Sequence, residues 1–140
     1  MALPKTLRLE FVTPERAIAH DAVDEVEIPG EDGYIGVLPG HAPLLAALRP
    51  GEMWYRSGQE KKYAFIGGGF AEVLPDHVAI LASVGERADE IDIQRAEAAK
   101  RRAEERLARP TSDLDFDRAR VALMKALVRL QVARHIRPRA

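Results

Sequence analysis

Residues 31–45 have the sequence EDGYIGVLPGHAPLL, in which glycines and prolines interrupt an otherwise apolar stretch. The β-branched and leucine side chains between them favour strands, whereas glycine and proline at this spacing favour tight turns. Pro39 presets its own φ and Gly40 can adopt a positive φ, which is the combination that a β-turn over residues 38–41 requires. The stretch therefore predicts two short strands joined by this turn.

Similar short apolar segments, separated by turn residues, continue on both sides of this stretch from residue 7 to residue 83. Leu7–Val12 alternates apolar and polar residues, as does the segment around Val26 and Ile28, and such alternation is typical of half-buried strands. Further strands are predicted at 52–56, 61–66, 70–74 and 77–83, with turns at 13–16, 49–51, 57–60 and 75–76 and a glycine bend at 67–69. Many short strands at near-even spacing predict a β-sandwich or β-barrel.

The composition changes after the last predicted strand, because alanine, glutamate, arginine and leucine dominate from Asp92 onward. These residues are strong helix formers. Asp92 is predicted to cap a first helix that ends near Ala108. A second helix is predicted from Asp113 or Asp115 to about Ile136. Two helices joined by so short a loop form an antiparallel αα-hairpin.

These patterns divide the chain into three parts. Residues 1–84 are predicted to form a β-sandwich domain, residues 85–91 a linker, and residues 92–140 a helical hairpin. Pro138 is expected to lie beyond the end of the second helix, because proline cannot continue one.

Composition and charge exclude several classes of protein. With 140 residues, 46% of them hydrophobic, the chain is long enough for one folded core. The 21 basic and 22 acidic residues give a formal net charge of −1, which argues against nucleic-acid binding. Cysteine is absent, so disulfides and thiolate chemistry are excluded. The sequence shows neither a signal peptide nor a membrane-spanning run, which predicts a cytoplasmic protein that reaches a membrane only through a partner.

The second predicted helix carries apolar residues on two sides, whereas the apolar face of the first is narrow and rich in alanine. At about 100° per residue, the second helix has two stripes, one formed by Phe116, Ala119, Leu123, Ala126, Leu127 and Leu130 and the other by Val121, Met124, Val128 and Val132. The first helix can cover only one of these stripes, and a helix that is apolar on two faces is normally buried. The hairpin is therefore predicted to be a docking element with more than one docked position.

Basic residues also line up on both helices. Arg95, Arg102 and Arg106 share a ridge on the first helix, and Arg118, Lys125 and Arg129 share a ridge on the second. Such a ridge is compatible with a solvated helix edge. It is also compatible with an anion site, such as one for a nucleotide polyphosphate, or with a face that meets acidic loops of a partner. The basic tail over residues 134–139 favours the last of these interpretations.

Motifs of enzymes and metal sites are absent from the sequence. The four histidines have no metal-ligand spacing, and no phosphate loop, dinucleotide fingerprint or nucleophile elbow is present. Asp113, Asp115 and Asp117 lack the glycine of a calcium loop, and helix capping by Asp113 or Asp115 explains them better. The sequence therefore predicts a non-catalytic protein with no required cofactor.

Several motifs, in order along nearly the whole chain, resemble those of the epsilon subunit of ATP synthase. Besides residues 31–45, they are Val12–Glu15, Gly68–Val73, Asp76–Ala82 and Ile91–Ala96. The resemblance implies a ten-stranded β-sandwich followed by an αα-hairpin, which agrees with the pattern of strands and helices. It also implies a bacterial type of subunit located in the central stalk, at the cytoplasmic face of the inner membrane.

The resemblance further implies partners and contact residues. Epsilon subunits bind the gamma subunit and the ring of c subunits, and they couple proton-driven rotation to ATP synthesis. By resemblance, Glu31, Asp32, Gly33 and Tyr34 face the ring, and His41 lies toward gamma. Many such subunits restrain ATP hydrolysis by extending the hairpin into the alpha and beta subunits. The contacts implied for that state are made by Arg118, Lys125, Arg129 and Arg134.

Some bacterial members of this family bind ATP as a regulatory ligand. Their motif is matched by Ile91, Asp92, Arg95 and Ala96, and further family positions fall on Arg102, Lys125 and Arg129. The chain departs from the ATP-binding members at Lys125, where they have arginine, and lysine cannot form a bidentate fork on phosphate. Asp92 also has a purely structural interpretation as a helix cap. The alternative from another class is a free-standing ATP-sensing module without a rotary partner.

Overall fold

The computed structural model describes residues 3–136. The chain forms two compact units that divide between Arg87 and Ala88. The sequence-based predictions for Arg137, Pro138 and Arg139 lie outside the described residues.

Over its described residues, 3–87, the first unit consists of eight strands in one continuous sheet. They are β1 (Leu7–Val12), β2 (Ala17–Val23), β3 (Glu25–Gly30), β4 (Gly33–Val37), β5 (Leu44–Ser57), β6 (Glu60–Leu74), β7 (His77–Ala82) and β8 (Gly85–Arg87). Their order is β2-β1-β7-β6-β5-β3-β4, with β8 paired to β6. Neighbouring strands are antiparallel except for the parallel pair β1 and β7.

Two long strands carry this sheet from one layer of a sandwich to the other. The C-terminal part of β6 pairs with β7, whereas its N-terminal part pairs with β8, and β5 follows β6 along its whole length. β2, β1 and β7 thus belong to one layer, and β4, β3 and β8 belong to the other. Buried side chains from both layers, such as Leu9 and Ile80 in the first and Ile28 and Met53 in the second, form a single core.

The ten strands that the resemblance implied are corrected to eight among the described residues, because β5 and β6 each run without a break through residues 49–51 and 67–69. The predicted turn at residues 49–51 lies inside β5, where Pro50 pairs with Gly67 of β6. The glycines at 67–69 bend β6 without ending it, and Gly68 and Gly69 have φ angles of 106° and 136°. Strand β2 was not predicted, because its apolar residues do not alternate regularly.

Arginines tie the two layers together along their open edges. Arg16, at the turn between β1 and β2, donates from Nη2 to the carbonyl oxygen of Gly85 at 3.4 Å. Arg87 on β8 donates from Nη1 to the carbonyl oxygen of Ile18 on β2 at 3.1 Å. The segment predicted as a linker, residues 85–91, therefore begins with a strand that is anchored in the sandwich.

The second unit is a helical hairpin that follows a short 3-10 helix, Ala88–Glu90. Its helices are α1 (Ile93–Ala108) and α2 (Asp113–Arg134). The predicted cap of α1 is confirmed, because Asp92 Oδ1 accepts a hydrogen bond from the backbone N–H of Arg95 at 3.0 Å.

The cap of α2 differs from the prediction. Ser112 is the capping residue, and its Oγ accepts from the N–H of Asp115 at 3.0 Å. Asp115 in turn accepts from the N–H of Thr111 at 3.3 Å. Two backbone donors at the start of α2 are thereby satisfied, in an arrangement that differs from a capping box because Asp115 accepts from the residue before the cap and not from the cap itself.

The apolar side chains of α2 divide between buried and exposed positions. Ala119, Ala126 and Leu130 of the first predicted stripe are buried, but Phe116 and Leu127, at the edge of that stripe, are 42% and 45% exposed. In the second stripe Val132 is buried, whereas its other members are half-buried. No helix within residues 3–136 is both long enough and apolar enough to cross a membrane.

Candidate functional site

The residues predicted to face the ring of c subunits lie at the exposed tip of the hairpin between β3 and β4. They are Glu31, Asp32, Gly33 and Tyr34. Gly30 and Gly33 are the last paired residues of the ladder, so Glu31 and Asp32 make the connection. Gly33 has a φ of 140°, a conformation that favours glycine, and the N–H of Glu31 donates to the carbonyl oxygen of Ala47 at 3.0 Å. Two adjacent carboxylates are thus presented to solvent on a tightly constrained loop.

His41 closes the predicted turn at residues 38–41. Its backbone N–H donates to the carbonyl oxygen of Leu38 at 3.1 Å, and Gly40 has the positive φ, 89°, that the sequence predicted. The N–H of Gly40 donates to the carbonyl oxygen of Pro75 at 2.7 Å, which attaches this turn to the one between β6 and β7. The side chain of His41 lies with Nδ1 2.7 Å from the carbonyl oxygen of Ala42. His41 therefore has a role in the turn whether or not it meets a partner.

An exposed apolar surface lies on the outside of the layer that contains β1 and β7. It is formed by Leu45, Phe70 and Leu81, which are 74%, 59% and 60% exposed, together with the partly buried Val12, Ala47 and Ala79. We call these six residues the apolar outer face.

Strand register explains why these side chains lie together. Phe70 is paired with Ala47 on one side and with Leu81 on the other, and Leu81 is paired with Val12. Directly paired residues on one face of a sheet have their Cβ atoms about 5 Å apart. A row of four apolar side chains therefore crosses four strands. The next row on this face contains Leu45 and Ala79, with the exposed Glu72 between them.

Sequence reasoning missed this surface, although a signal for it exists. Residues 78–82 are apolar without interruption, so both faces of β7 must be apolar. In an antiparallel sheet with one solvated face, polar residues are expected at every second position. An uninterrupted apolar run in such a strand is therefore the sequence signal of an apolar outer surface.

The residues that match the ATP-binding motif lie in the second unit. Ile91 and Ala96 are buried, Asp92 is engaged in capping α1, and the exposed side chains of Arg95 and Arg102 extend from α1. Arg95 and Arg102 are seven residues apart, so they share one face of α1 two turns apart. On α2, Lys125 and Arg129 are half-buried.

The basic residues of α2 form two groups rather than one. Arg118, Lys125 and Arg129 share one side of the helix, where Arg118 and Lys125 line a shallow depression with Val121 and Ala122. Arg134 lies about 160° around the helix from Arg118. The four predicted inhibitory contacts therefore cannot all meet one flat partner surface. Among residues 3–136, no cluster of histidine or acidic side chains is suited to holding a metal ion.

Comparison with protein families assigns both units. The model of the ATP synthase delta/epsilon chain β-sandwich domain matches residues 6–88, and that of the delta/epsilon chain long α-helix domain matches residues 89–134. The boundary between these matches falls within one residue of the division in the structure.

Curated relatives match over nearly their whole length. The ATP synthase epsilon chain of Syntrophobacter fumaroxidans is 50% identical over 131 residues, which cover 94% of this chain and 98% of that protein. The epsilon chain of Solibacter usitatus is 49% identical with the same coverage, and that of Bacillus licheniformis is 43% identical over 93% of this chain and 99% of its own length.

Solved structures share the fold at lower identity. A chain in the cryo-EM structure of the Euglena gracilis mitochondrial ATP synthase (OSCP/F1/c-ring, rotational state 1) superposes with a TM-score of 0.81 at 24% identity, covering 91% of this chain and 81% of that one. A chain in the central stalk/c-ring structure of the Tetrahymena thermophila mitochondrial enzyme gives a TM-score of 0.60 at 12% identity, covering 91% and 96%. Two family models that together span residues 6–134, and bacterial relatives half identical in sequence, lead to one conclusion: the chain belongs to the ATP synthase delta/epsilon chain family.

Proposed function

We propose that this chain is the epsilon subunit of a bacterial ATP synthase, a non-catalytic part of the central stalk that couples proton translocation to ATP synthesis. Its sandwich binds the gamma subunit and touches the c-subunit ring at the cytoplasmic face of the inner membrane. Its hairpin restrains ATP hydrolysis through the alpha and beta subunits. Family membership and the names of the bacterial relatives support this proposal.

The observation that carries the proposal is the apolar outer face. Its three large side chains are more than half exposed, although burying a side chain of this size stabilises a protein by about 1.5–3 kcal/mol. Monomeric proteins rarely expose contiguous apolar patches larger than a few hundred Å², and larger patches mark sites of interaction. A gamma subunit that covers this face accounts for the exposure. A free-standing ATP-sensing module, the alternative function, leaves it unexplained.

The hairpin supports a regulatory role through its distribution of apolar residues. Phe116 and Leu127 remain exposed on α2 although the helix packs against α1, and a second apolar stripe runs along another side. A helix with apolar residues on several sides is suited to more than one docking surface. We propose that the hairpin leaves its compact arrangement and inserts into the alpha and beta subunits, where the basic side of α2 meets acidic loops.

A matched pair of charge reversals tests the inhibitory contact. Arg118→Glu is expected to raise ATP hydrolysis by the inhibited alpha–beta–gamma complex about fivefold, because loss of an interfacial charge contact costs roughly 1 kcal/mol. Arg120→Glu makes the same change in charge at an exposed position two residues away, about 200° around α2, and is expected to leave inhibition intact. Steady-state hydrolysis with each full-length variant in excess is the measurement. Equal hydrolysis with the two variants would refute a contact through the basic side of α2.

A second candidate function of the hairpin is regulatory binding of ATP, which the matching motif residues favour. Calorimetry is expected to detect binding at or below millimolar ATP, and Arg102→Ala to weaken it about tenfold, because a hydrogen bond to a charged group contributes about 1.5–3 kcal/mol. Lys125→Arg is expected to strengthen binding, since arginine adds the bidentate contact that lysine lacks. Arg101→Ala, at the adjacent exposed position, is the control. No heat of binding at millimolar ATP would exclude this site.

A further inference from the structure

The side chain of Arg49 holds both ends of the acidic hairpin tip. Its Nε donates a hydrogen bond to the carbonyl oxygen of Gly30, just before the tip, at 3.1 Å. Its guanidinium lies over the ring of Tyr34, just after the tip, with Cζ 5.1 Å from the ring centroid. One side chain on β5 therefore contacts the residues that flank Glu31–Gly33.

A second contact from β5 leaves the tip little freedom. Ala47, two residues before Arg49, accepts a hydrogen bond from the N–H of Glu31 at 3.0 Å. Close packing also limits the base of the tip, because a Cβ on Gly30 would lie 2.7 Å from the carbonyl oxygen of Gly33. Strand β5 thus restrains the backbone from which the two carboxylates extend.

Arg49 does not neutralise the carboxylates that it helps to place. Among residues 3–136, the structure shows no ion pair for Glu31 or Asp32. The guanidinium is instead committed to a backbone carbonyl and to an aromatic ring. Two uncompensated negative charges on a rigid, exposed loop are complementary to a cationic surface.

Apolar side chains that a partner can contact lie next to the two carboxylates. A groove beside the tip is lined by Gly30–Ile35 from the β3–β4 hairpin and by Leu44–Ala47 from the start of β5. Tyr34 and Leu45, at 50% and 74% exposure, provide its largest apolar surfaces. The cation–π contact with Arg49 restrains the Tyr34 ring beside this groove.

We infer that Arg49 is a positioning residue for the ring-facing contact of this subunit, acting through Tyr34 and the tip carboxylates on a cationic loop of the c-subunit ring. The inference rests on the proposed function. Its contribution to affinity passes through geometry, so it falls when either the tip carboxylates or Tyr34 are removed and disappears when both are removed. Arg49→Lys retains the contribution only in part, because an ammonium keeps the charge but lacks the planar, multiple-donor guanidinium.

The experiment compares the affinity of full-length variants for two assemblies that lack their own epsilon subunit: the alpha–beta–gamma complex, and the complete ATP synthase with its ring in detergent. The ratio of the two affinities isolates the contribution of the ring. Arg49→Ala is expected to leave the first affinity unchanged within twofold and to reduce the ratio roughly tenfold. Arg49→Lys is expected to give an intermediate ratio.

Combined variants separate positioning from direct contact. In a chain that already carries Glu31→Gln and Asp32→Asn, or Tyr34→Ala, the loss caused by Arg49→Ala is expected to be smaller than in the wild type, and in a chain that carries all three substitutions it is expected to cause no further loss. Additive losses would show that Arg49 itself touches the partner and would overturn the inference. A parallel loss of gamma affinity and of thermal stability in Arg49→Ala would also overturn it, because the role would then be structural.

The proposed function fails in a different way. A wild-type chain that does not bind the alpha–beta–gamma complex contradicts the stalk assignment itself. A wild-type chain that binds this complex but gains nothing from the ring contradicts the ring contact, and the role of Arg49 with it. If the ring raises the affinity of the wild-type chain and Arg49→Ala leaves the ratio of the two affinities unchanged, only the role of Arg49 is overturned.

Discussion

Phe70→Asp is expected to reduce the affinity of the full-length chain for an alpha–beta–gamma complex more than 100-fold. Phe70 lies in the middle of the apolar outer face, paired with Ala47 and Leu81 on the neighbouring strands. Taking an unpaired carboxylate out of water at the centre of an interface costs several kcal/mol, and each 1.4 kcal/mol is a factor of about ten in affinity. This is the largest loss of binding that we expect from a single substitution.

The folded state is expected to tolerate the same substitution. The Phe70 side chain is 59% exposed and points away from the core, so the free energy of unfolding is expected to fall by about 1 kcal/mol, mainly through the low strand propensity of aspartate. Leu114→Asp is the matched control, because Leu114 is equally exposed but lies in the helical hairpin. It is expected to bind gamma as the wild type does. Normal affinity in the Phe70→Asp variant would show that gamma binds elsewhere.

Gly69→Ala is expected to destabilise the sandwich by about 4 kcal/mol or more, enough to prevent folding in a marginally stable domain. Gly69 has a φ of 136°, which L side chains rarely adopt. A Cβ there would overlap the carbonyl oxygen of Leu81 and lie 2.7 Å from the Cα of Ala82, and both are backbone atoms of the paired strand β7. Neither can move without breaking the ladder between β6 and β7.

Alanine substitutions at two other glycines are expected to cause smaller losses of stability. Chemical denaturation measures the free energy of unfolding of all three variants. At Gly68, φ is 106° but an added Cβ would meet nothing closer than 3.7 Å, so Gly68→Ala is expected to cost about 1–3 kcal/mol of backbone strain alone. Gly36 has neither a positive φ nor a neighbouring atom within 4 Å, and Gly36→Ala is expected to change stability by less than about 0.5 kcal/mol. Equal effects at all three positions would contradict a bend that depends on close backbone approach.

The same bend shows what local sequence patterns reveal and what they omit. Glycine and proline correctly predicted the turn that ends at His41, because that turn is stabilised by its own backbone hydrogen bond. Similar residues at 49–51 and 67–69 do not end a strand, because strand pairing across the sheet continues through them. Tertiary pairing of this kind is invisible in a short window of sequence, and this is why the segments that belong to β5 and to β6 were each predicted as two separate strands.

The helix caps and the candidate site residues also divide into those that local sequence predicts and those that depend on the tertiary fold. The cap of α1 by Asp92 was predictable from local chemistry, whereas Ser112 displaced the two aspartates expected to cap α2 because its hydroxyl reaches the free N–H of Asp115. The acidic tip was predicted by resemblance. The role of Arg49 at the tip required knowledge of which strands are neighbours. The apolar outer face likewise emerges only when register places Phe70 beside Leu81.

If this chain is a central-stalk subunit, its binding to the catalytic complex must depend on gamma. The full-length chain would be mixed with a bacterial alpha–beta–gamma complex and, separately, with an alpha–beta complex that lacks gamma, and each mixture would be separated by size. We predict that the chain co-elutes with the first complex at one copy per gamma and stays free in the second. A chain that stays free in both mixtures, while binding ATP on its own, would contradict the stalk assignment and favour the free-standing sensor.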